Sequence, residues 1–74
     1  MQRSDLTVRV KILTYLAQEL PSVTERSATR IARAIDEKAA DVSSILHSMW
    51  LKGHVTRVPN GGPRGGYVYY LPEQ

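Results

Sequence analysis

The chain has 74 residues, 42% of them apolar and 23% charged, with ten Lys and Arg against seven Asp and Glu for a net charge of +3. That length allows one small core and no second lobe, and the ordinary globular share of apolar and charged residues means that disorder is not the default reading. Cysteine is absent, which removes disulfides, thiolate-bound zinc and a cysteine nucleophile together and points to a reducing compartment.

In chain order, the first predicted element is a helix over Asp5 to Leu20, with Leu6, Val10, Leu13, Ala17 and Leu20 at helical spacing, Ile12 and Leu16 widening the stripe, and Ser4 or Asp5 as cap. Thr7 to Ile12 also alternates with period two, a strand pattern, but the apolar stripe runs too far for a lone strand. Pro21 ends the helix. Pro21 to Thr24 reads as a loop, and Thr24 or Ser27 caps a second helix that buries Ile31, Ala32 and Ile35 and turns Arg26, Arg30 and Arg33 outward. Asp36-Glu37-Lys38 is a short turn in which Asp36 tolerates a left-handed backbone. A third helix follows from Ala39 to Lys52, with Val42, Ile45, Leu46 and Met49 inward and Gly53 as its stop. From His54 the period changes to two. His54 to Val58 and Tyr67 to Leu71 are strands, joined through Pro59-Asn60-Gly61-Gly62-Pro63-Arg64-Gly65-Gly66, a run of turn formers. The predicted class is α+β, mostly α: one domain of three helices followed by a two-stranded hairpin.

That order, with Ser27 to Ile35 as a first motif helix, Val42 to Val55 as a second helix and its Lys-Gly exit, and Arg57 with Gly66 to Leu71 as paired strands, resembles a winged helix-turn-helix domain of small prokaryotic or viral transcriptional regulators. The resemblance covers about two thirds of the chain and implies a double-stranded DNA-binding protein, its third helix in the major groove and its hairpin, the wing, on the backbone or minor groove. Two pairs of residues depart from the family's pattern. Asp36 and Glu37 stand where Gly and an aliphatic residue are usual, and Trp50 and Leu51 where charged residues are usual. Val42 to Met49 is also similar in spacing to the helix of Zα domains, which bind left-handed DNA, but Ser43 and His47 replace the Asn and Tyr of that family and its Pro-Pro-x-Trp wing is missing.

On this reading the groove-facing residues are Ala39, Ala40, Ser43, Ser44 and His47, with Asp41 near the start of the same helix. Small and hydroxylated side chains allow close approach but read bases weakly; His47 can donate to guanine or to a phosphate. Backbone contacts fall to Arg26, Arg30, Arg33, Lys38, Lys52, His54 and Arg57, with Arg64 at the wing tip reaching the minor groove. No acidic residue occurs between Val42 and Leu71. Five to seven phosphate contacts give a log–log salt slope of roughly −4 to −6.

Trp50 and Leu51 mark a surface for a homodimer or, in the competing reading, for a partner protein docked with the hairpin as an interaction module. No cofactor, metal, membrane or small-molecule substrate is expected. The Gly-rich loop lacks the Gly-Lys-Ser/Thr ending of a phosphate loop, no serine sits in a nucleophile motif, and the chain does not read as an enzyme. No apolar run approaches the ~18 residues of a membrane span and the N-terminus lacks a signal peptide's apolar stretch, so the expected location is the cytoplasm, nucleoid-associated, or the host cytoplasm if the protein is viral.

Overall fold

The computed structural model describes residues 5–60 and 66–72. In order these form α1 (Asp5–Leu16), a 3-10 turn (Val23–Arg26), α2 (Ala28–Ile35), α3 (Ala39–Leu51), β1 (Thr56–Pro59) and β2 (Tyr67–Tyr70). The strands pair antiparallel, with Thr56 opposite Tyr70 and Pro59 opposite Tyr67. Three helices followed by a hairpin is the class the periodicities predict. Ser27 adds an isolated bridge to Val68, so the chain entering α2 briefly becomes a third strand on the free edge of β2.

α1 differs from the sequence reading in both length and facing. Its buried residues are Val8, Ile12 and Leu16, whereas Leu6, Val10 and Leu13 point outward, Leu6 with 71% of its surface exposed. Apolar residues run around much of this helix, so periodicity alone offers two stripes. The facing adopted gives the polar residues beside the inward row their partners: Lys11 reaches Glu37 at 2.8 Å and the Ile35 carbonyl at 3.4 Å, and Arg9 reaches Ser48 Oγ at 3.4 Å. The helix stops at Leu16, not Leu20: Gln18 N–H bonds back to the Tyr15 carbonyl at 3.2 Å, tightening the last turn, and Leu20 packs against the core from outside the helix. The proposed Ser4 cap lies outside the described residues.

α2 and α3 end in the same way, in Schellman turns. After α2, Glu37 N–H reaches the Ala32 carbonyl at 2.9 Å and Asp36 N–H the Arg33 carbonyl at 3.3 Å. After α3, His54 N–H reaches Met49 at 2.8 Å and Gly53 N–H reaches Trp50 at 3.0 Å. The residue at the left-handed position is Asp36 in the first case, with φ 59°, and Gly53 in the second, with φ 79°. Asp36 thus takes the backbone role that glycine usually has. Glu37, next to it, is accommodated because its carboxylate, 9% exposed, is neutralised by Lys11.

The core joins Ile31 and Ala32 of α2, Val42, Ile45, Leu46 and Met49 of α3, the inward row of α1, Val55 and Tyr69. β1 starts at Thr56 rather than His54; Val55 is buried just ahead of it, and His54 completes the helix-ending turn. Among the described residues no helix is long and apolar enough to cross a membrane.

Candidate nucleic-acid interface

The outward face of α3 is open along its length. Ala39, Ala40, Asp41, Ser43, Ser44 and His47 are all exposed, as are Lys38 at the N-cap and Lys52 at the C-cap. This follows from the 3.6 period: once Val42, Ile45, Leu46 and Met49 fill the core, the short residues between them have only solvent to face. Leu51, 67% exposed, continues the same face at its C-terminal end.

The hairpin stands beside this face and is pinned to it by one side chain. Strand pleating puts Arg57, Tyr67 and Tyr69 on the same side of the sheet, given their register. The Arg57 guanidinium carbon lies 3.6 Å from the Trp50 ring centre and 4.0 Å from that of Tyr67. Its Nη1 is 3.4 Å from Nδ1 of His47. Trp50 is half-buried under this cation and within 5.8 Å of the His47 ring. The tryptophan expected as a partner surface is therefore covered by the hairpin's own arginine, while Leu51 stays open. Arg57, expected on phosphates, is half-buried and held between elements.

Arg26 departs from expectation in a similar way. It belongs to the 3-10 turn, not to the outer face of α2, and is half-buried, donating to the Tyr69 carbonyl at 3.2 Å and stacking 4.4 Å from the Tyr70 ring centre. Arg30 is exposed but within 3.6 Å of Glu25, an ion pair weakened by its exposure. Glu25 is in turn tied to Tyr15, whose hydroxyl donates to its carbonyl at 3.0 Å. Burial pushes the Tyr15 phenol above its ordinary value near 10, helped by the Glu25 charge. Arg33, Lys38, Lys52 and His54 are exposed. Arg64 lies outside the described residues.

One feature of this surface was not anticipated from sequence. A groove of about 240 Å³ runs between the start of α2 (Ser27, Ala28, Thr29), Ser43 of α3 and the hairpin (Asn60, Gly66, Tyr67, Tyr69). Ser27 caps α2, its hydroxyl accepting the Arg30 N–H at 3.3 Å, and with Ala28 and Thr29 it lines the groove, so the positive end of the helix dipole lies there. The clue in the sequence was a pair of hydroxyls, Ser27 and Thr29, at a helix start.

Among the described residues no group of three His, Asp or Glu is placed to hold a metal ion. No family model matches this chain, and neither does any curated protein.

Proposed function

We propose that this protein binds double-stranded DNA as a winged helix-turn-helix domain, in the manner of a small transcriptional regulator. α3 enters the major groove, the hairpin acts as the wing, and the groove at the start of α2 receives the phosphate backbone. The observation that carries the reading is the open row of short side chains on α3, from Ala39 to His47, flanked by exposed Lys38 and Lys52. A helix with such a face can approach base edges closely, and helix N–H groups and hydroxyls suit phosphate oxygens. With Arg26 and Arg57 engaged inside the molecule, backbone contact among the described residues comes from Arg30, Arg33, Lys38, Lys52 and His54, and the short side chains of α3 make base readout modest. Four or five such contacts give a salt slope of roughly −4. Titrating labelled random duplex at 50 to 300 mM salt tests this; absent binding in dilute buffer, or affinity independent of salt, overturns it.

The exposure of Leu6, Val10 and Leu13 on α1 favours a second copy as partner through that row, in place of Trp50. Two α3 helices about 34 Å apart would then fit successive major grooves on a palindromic site. Sedimentation of the wild type and of Val10→Glu distinguishes a dimer through α1 from a monomer. In the competing reading a partner protein docks on Leu51 and the hairpin, Trp50 being covered by Arg57; there Leu51→Ala weakens a protein partner and leaves duplex affinity unchanged.

A further inference from the structure

The groove-facing surface of α3 holds one polar side chain longer than a hydroxyl or a short carboxylate, His47, and its ring does not stand alone. Arg57 approaches it from β1, with Nη1 3.4 Å from Nδ1, the outer edge of hydrogen-bonding distance. A guanidinium has only donors. Nδ1 can therefore take part only as an acceptor, which puts the proton of the neutral ring on Nε2. Arg57 is itself held by two rings, Trp50 beneath at 3.6 Å and Tyr67 at 4.0 Å, so its position is set by α3 and the hairpin together.

We infer that Arg57 is a positioning residue for base recognition: it fixes His47 as an Nε2–H donor aimed outward from α3, and that donor reads a guanine edge in the major groove. This inference rests on the double-stranded DNA reading above and extends it to one side chain and one base. The base follows from the donor. Guanine offers two adjacent acceptors, N7 and O6, and no donor beside them, so a lone N–H bonds N7 unopposed. Adenine sets a competing N6 donor beside its N7, and thymine a methyl beside its O4. Trp50 also takes a definite role, as the floor on which the arginine lies, and Tyr67 as its cover.

The test uses the full chain and has two arms. In the first, long-range ¹H–¹⁵N spectra of the histidines are recorded at alkaline pH without DNA, with exposed His54 as internal reference. Wild-type protein shows His47 as a single Nε2–H tautomer. Arg57→Met keeps an unbranched stem between the two rings but cannot donate, and His47 becomes a tautomer mixture; Arg57→Lys, which retains a donor, restores it in part. An identical His47 pattern in wild type and Arg57→Met overturns the inference. Thermal unfolding of each variant shows that it is folded.

In the second arm, the best duplex selected from a random pool is resynthesised with 7-deazaguanine at one guanine at a time. At one position wild-type affinity falls about fivefold, the worth of one net hydrogen bond. His47→Ala and Arg57→Met, having already lost that contact, fall less than twofold there. If no guanine separates wild type from His47→Ala, or if only a methylphosphonate does so, the base assignment is overturned. If no duplex is bound at all, the DNA reading fails together with the base assignment, while the tautomer arm still reports on the clamp by itself.

Discussion

Cationic side chains serve two different purposes beside the hairpin and at the outer positions of α2 and α3. Around the hairpin, Arg26 and Arg57 lie on aromatic rings and reach across the fold, to the Tyr69 carbonyl and to His47. On the helices, Arg33 and the end residues Lys38 and Lys52 project into solvent. The hairpin is only four residues a side and cannot hold itself by strand pairing alone. Planar cations stacked on Trp50, Tyr67 and Tyr70 supply part of what is missing, and a guanidinium suits that task better than an ammonium because it stacks flat. Counting positive charge therefore overstates the number of groups available to a polyanion.

Replacing Arg33, Lys38 and Lys52 together by alanine gives the largest expected effect. Each lost phosphate contact reduces the salt slope by about 1, so duplex affinity at 0.1 M salt falls roughly tenfold per side chain, with thermal stability nearly unchanged. A triple variant that binds as well as wild type removes the functional half of the comparison. Arg26→Ala tests the other half. Losing a part-buried hydrogen bond and a cation–π contact costs about 2 kcal/mol, seen as a melting temperature lower by roughly 10 °C. Arg33→Ala changes stability by less than about 0.5 kcal/mol. If the two variants melt alike, Arg26 is not structural.

Smaller effects sharpen the contrast between the two helix ends. Asp36→Gly places at the end of α2 the residue already used after α3. With φ at 59°, removing the Cβ stabilises by up to about 1 kcal/mol, or about 4–8 °C by differential scanning calorimetry. A decrease means that the Asp36 side chain has a role beyond its backbone. The smallest effect is confined to high pH. Because the folded state raises the Tyr15 pKa, it binds that proton more tightly than the unfolded chain does, so the associated stability is complete below about pH 10 and is lost as pH rises through the folded value. Denaturant midpoints measured from pH 8 to 11 should fall less steeply for Tyr15→Phe than for wild type.

The helices α2 and α3 and the hairpin were legible because each has one dominant period and a stop residue: Ile31 and Ile35 before Asp36, Val42 to Met49 before Gly53, and an alternating run on either side of a Gly/Pro stretch. The exposed row of α3 followed directly from its buried one. α1 was less legible. Val8-Ile12-Leu16 and Leu6-Val10-Leu13 are two stripes on one cylinder, and helical spacing cannot rank them.

The amino-acid sequence by itself determined the order of elements, the left-handed turn at Asp36, the core rows of α2 and α3, and a stretch from Val42 to Leu71 without negative charge. These are local properties, set within a few residues by backbone sterics and side-chain period. Only the tertiary structure decided which side of α1 faces the core, which arginines are occupied by aromatic rings, and that His47 meets Arg57. Each of those outcomes depends on pairs far apart in the chain or on different elements. A polar side chain takes the partner that folding brings within reach, and no spacing along a single element records who that partner is.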